Sequence, residues 1–129
     1  MTTARQTVTA PAAPPAIGPY SHAVRAGGLL FCSGQIPLDP ATGELTGASA
    51  AEQARRCLEN LRAVCEAAST TLAQAVRLTV YMTDLGEFAA VNEVYGSFFA
   101  GEEPPARVTI EVSALPKGAL VEIDAIVAL

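Results

Sequence analysis

The sequence predicts an α+β domain in which two helices pack on one face of a single mixed sheet. Three features point there. Strand-like alternation of apolar and polar residues recurs at 76–83, 107–112 and 120–124. Two other stretches, 52–68 and 88–98, carry apolar residues three and four apart, the spacing of one helix face. Each of those stretches lies between strands in the chain, so both oily stripes can be buried against the same sheet. A length of 129 residues suits one domain and leaves no room for a second layered unit.

Residues 1–16, rich in Thr, Ala and Pro, predict an extended N-terminal arm, and 17–129 form the folded domain. Residues 21–26 and 29–33 read as a hairpin turned at Gly27-Gly28, closed by Ser33-Gly34-Gln35. A loop rich in Pro, Asp and Gly follows. Ser49-Ala50-Ala51-Glu52 spells a capping box, and Ala54, Leu58, Leu61, Cys65 and Ala68 then share a helix face. In the strand that follows, Val76, Leu78, Val80 and Met82 alternate with Arg77, Thr79, Tyr81 and Thr83. Asp84 and Glu87 offer a second cap, and Phe88, Val91, Tyr95 and Phe98 mark the stripe of the second helix. Pro104-Pro105 stop that helix and lead into a strand with Val108, Ile110 and Val112 inward. The final strand alternates Val121, Ile123 and Ala125 with Glu122 and Asp124. The helix-free sheet face carries mixed residues such as Thr79, Tyr81 and Thr109, which suit either solvent or contact with further copies.

Charge and cysteine usage exclude several classes. Thirteen acidic residues outweigh eight basic ones, and the net charge of -5 opposes a nucleic-acid or anionic-membrane surface. Three cysteines without Cys-x-x-Cys spacing argue against a disulfide framework and fit reduced thiols. With His22 the only histidine, a protein metal site is not expected. No segment reads as a secretory leader or membrane span, so a cytoplasmic address is the expectation.

Arg107 and Glu122 are the chemically suggestive pair. A guanidinium grips a carboxylate with two parallel hydrogen bonds, and a nearby carboxylate moves protons or orients water. Read as neighbouring strands, their segments would present the two groups together. Spacing alone equally describes solvated strand residues, the commoner case.

Several blocks, taken in order, resemble the Rid (YjgF-type) reactive intermediate/imine deaminases, in particular the RidA-like branch. They are Ile17-Gly18-Pro19-Tyr20, Ser33-Gly34-Gln35-Ile36-Pro37, Thr42-Gly43-Glu44, Val80-Tyr81-Met82-Thr83-Asp84-Leu85, Phe88-Ala89-Ala90-Val91-Asn92, Pro105-Ala106-Arg107 and Val121-Glu122-Ile123. The resemblance runs from about Ile17 to Val127. It implies a chorismate-mutase-like subunit in a homotrimer with clefts between subunits. The implied reaction is hydrolysis of 2-imino acids, in equilibrium with their enamine tautomers, to 2-keto acids and ammonia, with no cofactor and no metal. Residue by residue, Arg107 matches the substrate-carboxylate anchor and Glu122 the carboxylate that activates water. Tyr20 matches a cleft hydroxyl, Ser33 and Gly34 a backbone segment close to the ligand, and Asn92 a cleft residue of the second helix. Thr109 stands where many relatives carry Cys. Two alternatives rank below: a binding module that senses small carboxylates without turnover, then an RNA-cleaving or translation-inhibiting role, which the acidic balance opposes.

Overall fold

The computed structural model describes residues 4–129. Six strands, β1 (Gln6–Val8), β2 (Ala23–Ala26), β3 (Leu29–Gln35), β4 (Ala75–Met82), β5 (Ala106–Glu111) and β6 (Val121–Ala128), form one sheet in the order β1-β2-β3-β6-β4-β5. Only β4 and β5 run parallel; the other neighbours are antiparallel, so the sheet is mixed. Helices α1 (Ala50–Ala67) and α2 (Phe88–Phe98) share one core with the sheet. Leu58, Leu61 and Val64 of α1 are fully buried there with Leu78, Ile123 and Val127.

The predicted caps form, one of them displaced. The Ser49 hydroxyl accepts from the Glu52 N–H at 3.2 Å and donates to the Glu52 carboxylate at 3.1 Å, which fixes the start of α1. Asp84 instead caps a single 3-10 turn, Leu85–Glu87, accepting from the Gly86 N–H at 2.8 Å, and α2 begins only afterwards.

Three expectations change. Residues 1–16 are not all an arm outside the fold: Gln6–Val8 pair with β2 as an edge strand, and Val8, Ala10 and Ala13 are buried. Edge pairing needs no alternating pattern, because one inward Val suffices to anchor a three-residue strand. The first three residues of that stretch lie outside the described part. Secondly, the strands of Arg107 and Glu122 are not neighbours, because β4 lies between them. Thirdly, the polarity of β5 is reversed. Arg107 pairs in register with buried Leu78 and Thr109 with buried Val80, so they share the helix-bearing side, while Val108 and Ile110 face the open side with Thr79 and Tyr81. On that open side Ile110 remains 40% exposed.

Candidate active site

Two separate hollows collect the residues singled out by sequence. The first, of about 300 Å³, is lined by Ile17, Tyr20, Ser33, Gly34, Ile36, Pro116 and Glu122. Glu122 comes from the centre of the sheet. Its neighbours Val121 and Ile123 are buried under α1, so the strand pleat turns Glu122 to the helix-free face. Opposite it, the register of β3 against β6 slips between Cys32 and Gln35. This bulge withdraws Ser33 and Gly34 from the ladder and brings their main chain beside the carboxylate. Gly34 leaves room for the carboxylate: a Cβ there would run into Oε2 of Glu122 and lie 3.0 Å from its Cδ, so the acid would have to swing aside. The Ser33 hydroxyl donates to the Ser21 carbonyl at 2.6 Å and its N–H to the His22 carbonyl at 3.0 Å. Tyr20 is 43% exposed, and its hydroxyl accepts from the Ile17 N–H at 3.2 Å.

Burial, and after it the charge of Asp124 on the same strand face, hold the Glu122 carboxyl above the ordinary carboxylate value. Asp124 accepts a hydrogen bond from the Tyr81 hydroxyl at 2.9 Å. Burial first, then that contact, raise the Tyr81 phenol. A carboxylate placed this way is a stronger base than an ordinary surface Glu.

The second hollow, of about 540 Å³, is lined by Asn92, Tyr95, Gly96, Phe99, Glu102, Pro104, Pro105 and Arg107. Arg107 leaves the edge strand toward α2. Its guanidinium carbon sits 4.8 Å from the Tyr95 ring centroid and 5.5 Å from that of Phe88. Its Nη1 donates to Asn92 Oδ1 at 2.7 Å. Among the described residues no carboxylate lies within ion-pair distance of it; the one ion pair there is Arg56–Glu59. The fork is aimed and uncompensated. Tyr95 Oη, in this hollow, and Thr109 Oγ1, two residues along β5 from Arg107, are buried without a hydrogen-bond partner.

Within one chain, then, Tyr20, Ser33, Gly34 and Glu122 come together, Arg107 and Asn92 come together, and the two sets stand on opposite sides of the sheet. Phe88, expected in the core stripe of α2, is 38% exposed and serves Arg107 instead. Sequence reasoning missed the Asp124–Tyr81 pair. The signal was present: both fall on the polar phase of strands already recognised. Cys32 and Cys57 are poor nucleophiles, since a hydrogen bond with Cys65 raises the first thiol and burial raises the second. Among the described residues no cluster of three or more His, Cys, Asp or Glu is arranged to hold a metal, and no helix is long and apolar enough to cross a membrane.

The chain as a whole has counterparts among known proteins. Residues 10–129 match the family described as endoribonuclease L-PSP. The chain belongs to that family, the YjgF/Rid group. A RutC family protein, y4sK of Sinorhizobium fredii, is 56% identical over 117 residues, covering 91% of this chain and 92% of the relative. A Mus musculus protein named 2-iminobutanoate/2-iminopropanoate deaminase is 41% identical over 122 residues, covering 95% and 90%. The crystal structure of Escherichia coli TdcF with bound serine superposes with a TM-score of 0.91 at 41% identity, covering 96% of this chain and 98% of that one.

Proposed function

We propose that this protein hydrolyses short 2-imino acids to 2-keto acids and ammonia, as a homotrimer whose clefts lie between subunits. The observation that carries the reading is the division of the chemistry: an uncompensated guanidinium in one hollow, a half-buried carboxylate with a raised pKa in the other. In each cleft the Arg107 side of one subunit meets the Glu122 side of the next. The guanidinium takes the substrate carboxylate in a bidentate grip. Asn92 and the rings of Phe88 and Tyr95 hold the fork in place.

The protonated imine carbon is already electrophilic, so positioning and one proton carrier are enough. Glu122 takes a proton from water as its oxygen bonds to that carbon, giving a carbinolamine. The same carboxyl returns the proton to nitrogen, and as the C–N bond breaks and ammonia leaves with the electron pair, Glu122 takes the hydroxyl proton so that the carbonyl of the keto acid forms; that proton then passes to ammonia as ammonium is released. Tyr20 and the Ser33–Gly34 main chain orient substrate and water. The 41% identity to a protein named as a deaminase for 2-iminobutanoate and 2-iminopropanoate supports this substrate class.

The test couples a serine or threonine dehydratase to keto-acid release. Added protein is expected to accelerate release, and Arg107→Ala to abolish the acceleration. No acceleration by the wild type would remove the proposal. The serine bound to TdcF favours a second reading, capture of small carboxylates without turnover. Saturable binding by a catalytically silent wild type would select it. An RNA-directed role ranks third, against the net charge of -5.

A further inference from the structure

His22 belongs to neither hollow, is buried, and has both ring nitrogens engaged. Its Nδ1 accepts from the Ala10 N–H at 2.9 Å. Its Nε2 lies 2.7 Å from the Pro14 carbonyl oxygen. A backbone N–H only donates and a carbonyl only accepts, so these partners assign the neutral tautomer with the proton on Nε2.

The two bonds close a loop. Pro14 and His22 are eight residues apart, and between them lie Ile17 and Tyr20, which line the Glu122 hollow. Among the described residues, the hydrogen bonds of 15–20 stay inside that loop: Ile17 N–H to the Tyr20 hydroxyl, and Tyr20 N–H to the Gly18 carbonyl. Its tip is exposed and its base is fixed by His22. On the other side of the same residue, the His22 carbonyl accepts from the Ser33 N–H at 3.0 Å, and the adjoining Ser21 carbonyl from the Ser33 hydroxyl at 2.6 Å. One residue therefore joins the loop base to the bulge that carries Gly34.

We propose that His22 is a positioning residue which, by closing the 14–22 loop, sets where Tyr20 and Ile17 stand over Glu122. This rests on the imine-hydrolase reading of that hollow. The imidazole does not touch substrate. Without it the loop ends separate and sample many conformers, so the wall they form is lost part of the time. Glu122 stays on its strand. Substrate affinity therefore suffers more than the chemical step.

His22→Ala and His22→Gln test this, because a Gln amide offers one acceptor and one donor in place of the two ring nitrogens. Steady-state kinetics of His22→Ala should show KM raised about tenfold with kcat within about threefold of wild type. His22→Gln should recover most of the loss. Hydrogen exchange should run about tenfold faster in a peptide covering 10–21 of His22→Ala, with peptides from α1 unchanged. Unchanged exchange in His22→Ala would overturn the proposal, as would faster exchange with wild-type KM, a fall in kcat alone, or no recovery in His22→Gln. If the wild type shows no turnover, the imine reading falls. His22 is then judged by exchange together with 2-oxobutanoate titrations. Weaker binding in His22→Ala supports the role; equal binding, or none in either protein, overturns it.

Discussion

The two hollows are built on opposite physical terms. Glu122 stands on β6, with β3 and β4 on either side, half-buried and close to a second carboxylate. Arg107 stands on the edge strand β5, exposed, flanked by aromatic rings and held by one amide. A central strand supplies burial, which raises a carboxyl. An edge strand leaves a guanidinium open to solvent. Neither surroundings would suit the other group. Burying Arg107 unpaired would be costly, and an exposed Glu122 would be an ordinary carboxylate. The division explains why each hollow looks incomplete by itself.

The largest expected effects come from removing either charge. Glu122→Gln should lower kcat about 10³-fold, the usual scale for a lost proton carrier. Arg107→Ala should lower kcat/KM by about 10²–10³-fold, and Arg107→Lys should recover only part, because an ammonium lacks the planar fork. Mixing the two inactive variants under conditions of subunit exchange sharpens the comparison. In a shared-site assembly, about a quarter of the interfaces would pair an intact Arg107 with an intact Glu122, and activity should return. Mixtures as dead as their components would break the idea that the two hollows face each other across subunits.

Gly34→Ala is expected to come next. The methyl group meets the Glu122 carboxylate, so either the bulge or the acid must move. Because the methyl group meets the end of a flexible side chain, turnover should fall about tenfold while stability, read by denaturant unfolding, changes by less than about 1 kcal/mol. Unchanged turnover would mean that the close approach of Gly34 does not set where the acid stands.

Smaller effects concern pH. Folding raises the Glu122 pKa, so between 4.5 and the folded value the native chain binds more protons than the unfolded one, and stability falls as pH rises. The penalty is absent well below 4.5 and complete above the folded pKa. Glu122→Gln should therefore melt higher than wild type at neutral pH but not in acid. The acid limb of the wild-type kcat profile should lie above the ordinary carboxylate range. Asp124→Asn removes the secondary cause of the shift and should move that limb slightly downward. An unmoved limb would leave burial as the sole cause.

Both helices and five of the six strands were legible in the sequence because each carries enough apolar residues at one period to be buried on one side. β1 was not, since Val8 is the single inward residue of a three-residue strand amid Thr, Ala and Pro. The second cap was misplaced by one turn because Asp84 satisfies a 3-10 turn as readily as a helix. Phe88 reads as core by spacing, yet its position near the start of α2 puts it over Arg107. His22 showed no sign of its partners, because backbone groups leave no trace in composition.

The sequence by itself marked Arg107 and Glu122 as a chemically suggestive pair and placed them on strands. Residue type and period carry that much, since a guanidinium and a carboxylate on alternating segments are visible without any tertiary contact. Only the tertiary structure decided how they are distributed. Inserting β4 between β5 and β6 is a matter of strand order, and the register of β5 against β4 sets which phase of β5 meets the helices. No local pattern encodes that order, because the pairing energy comes from residues distant in the chain.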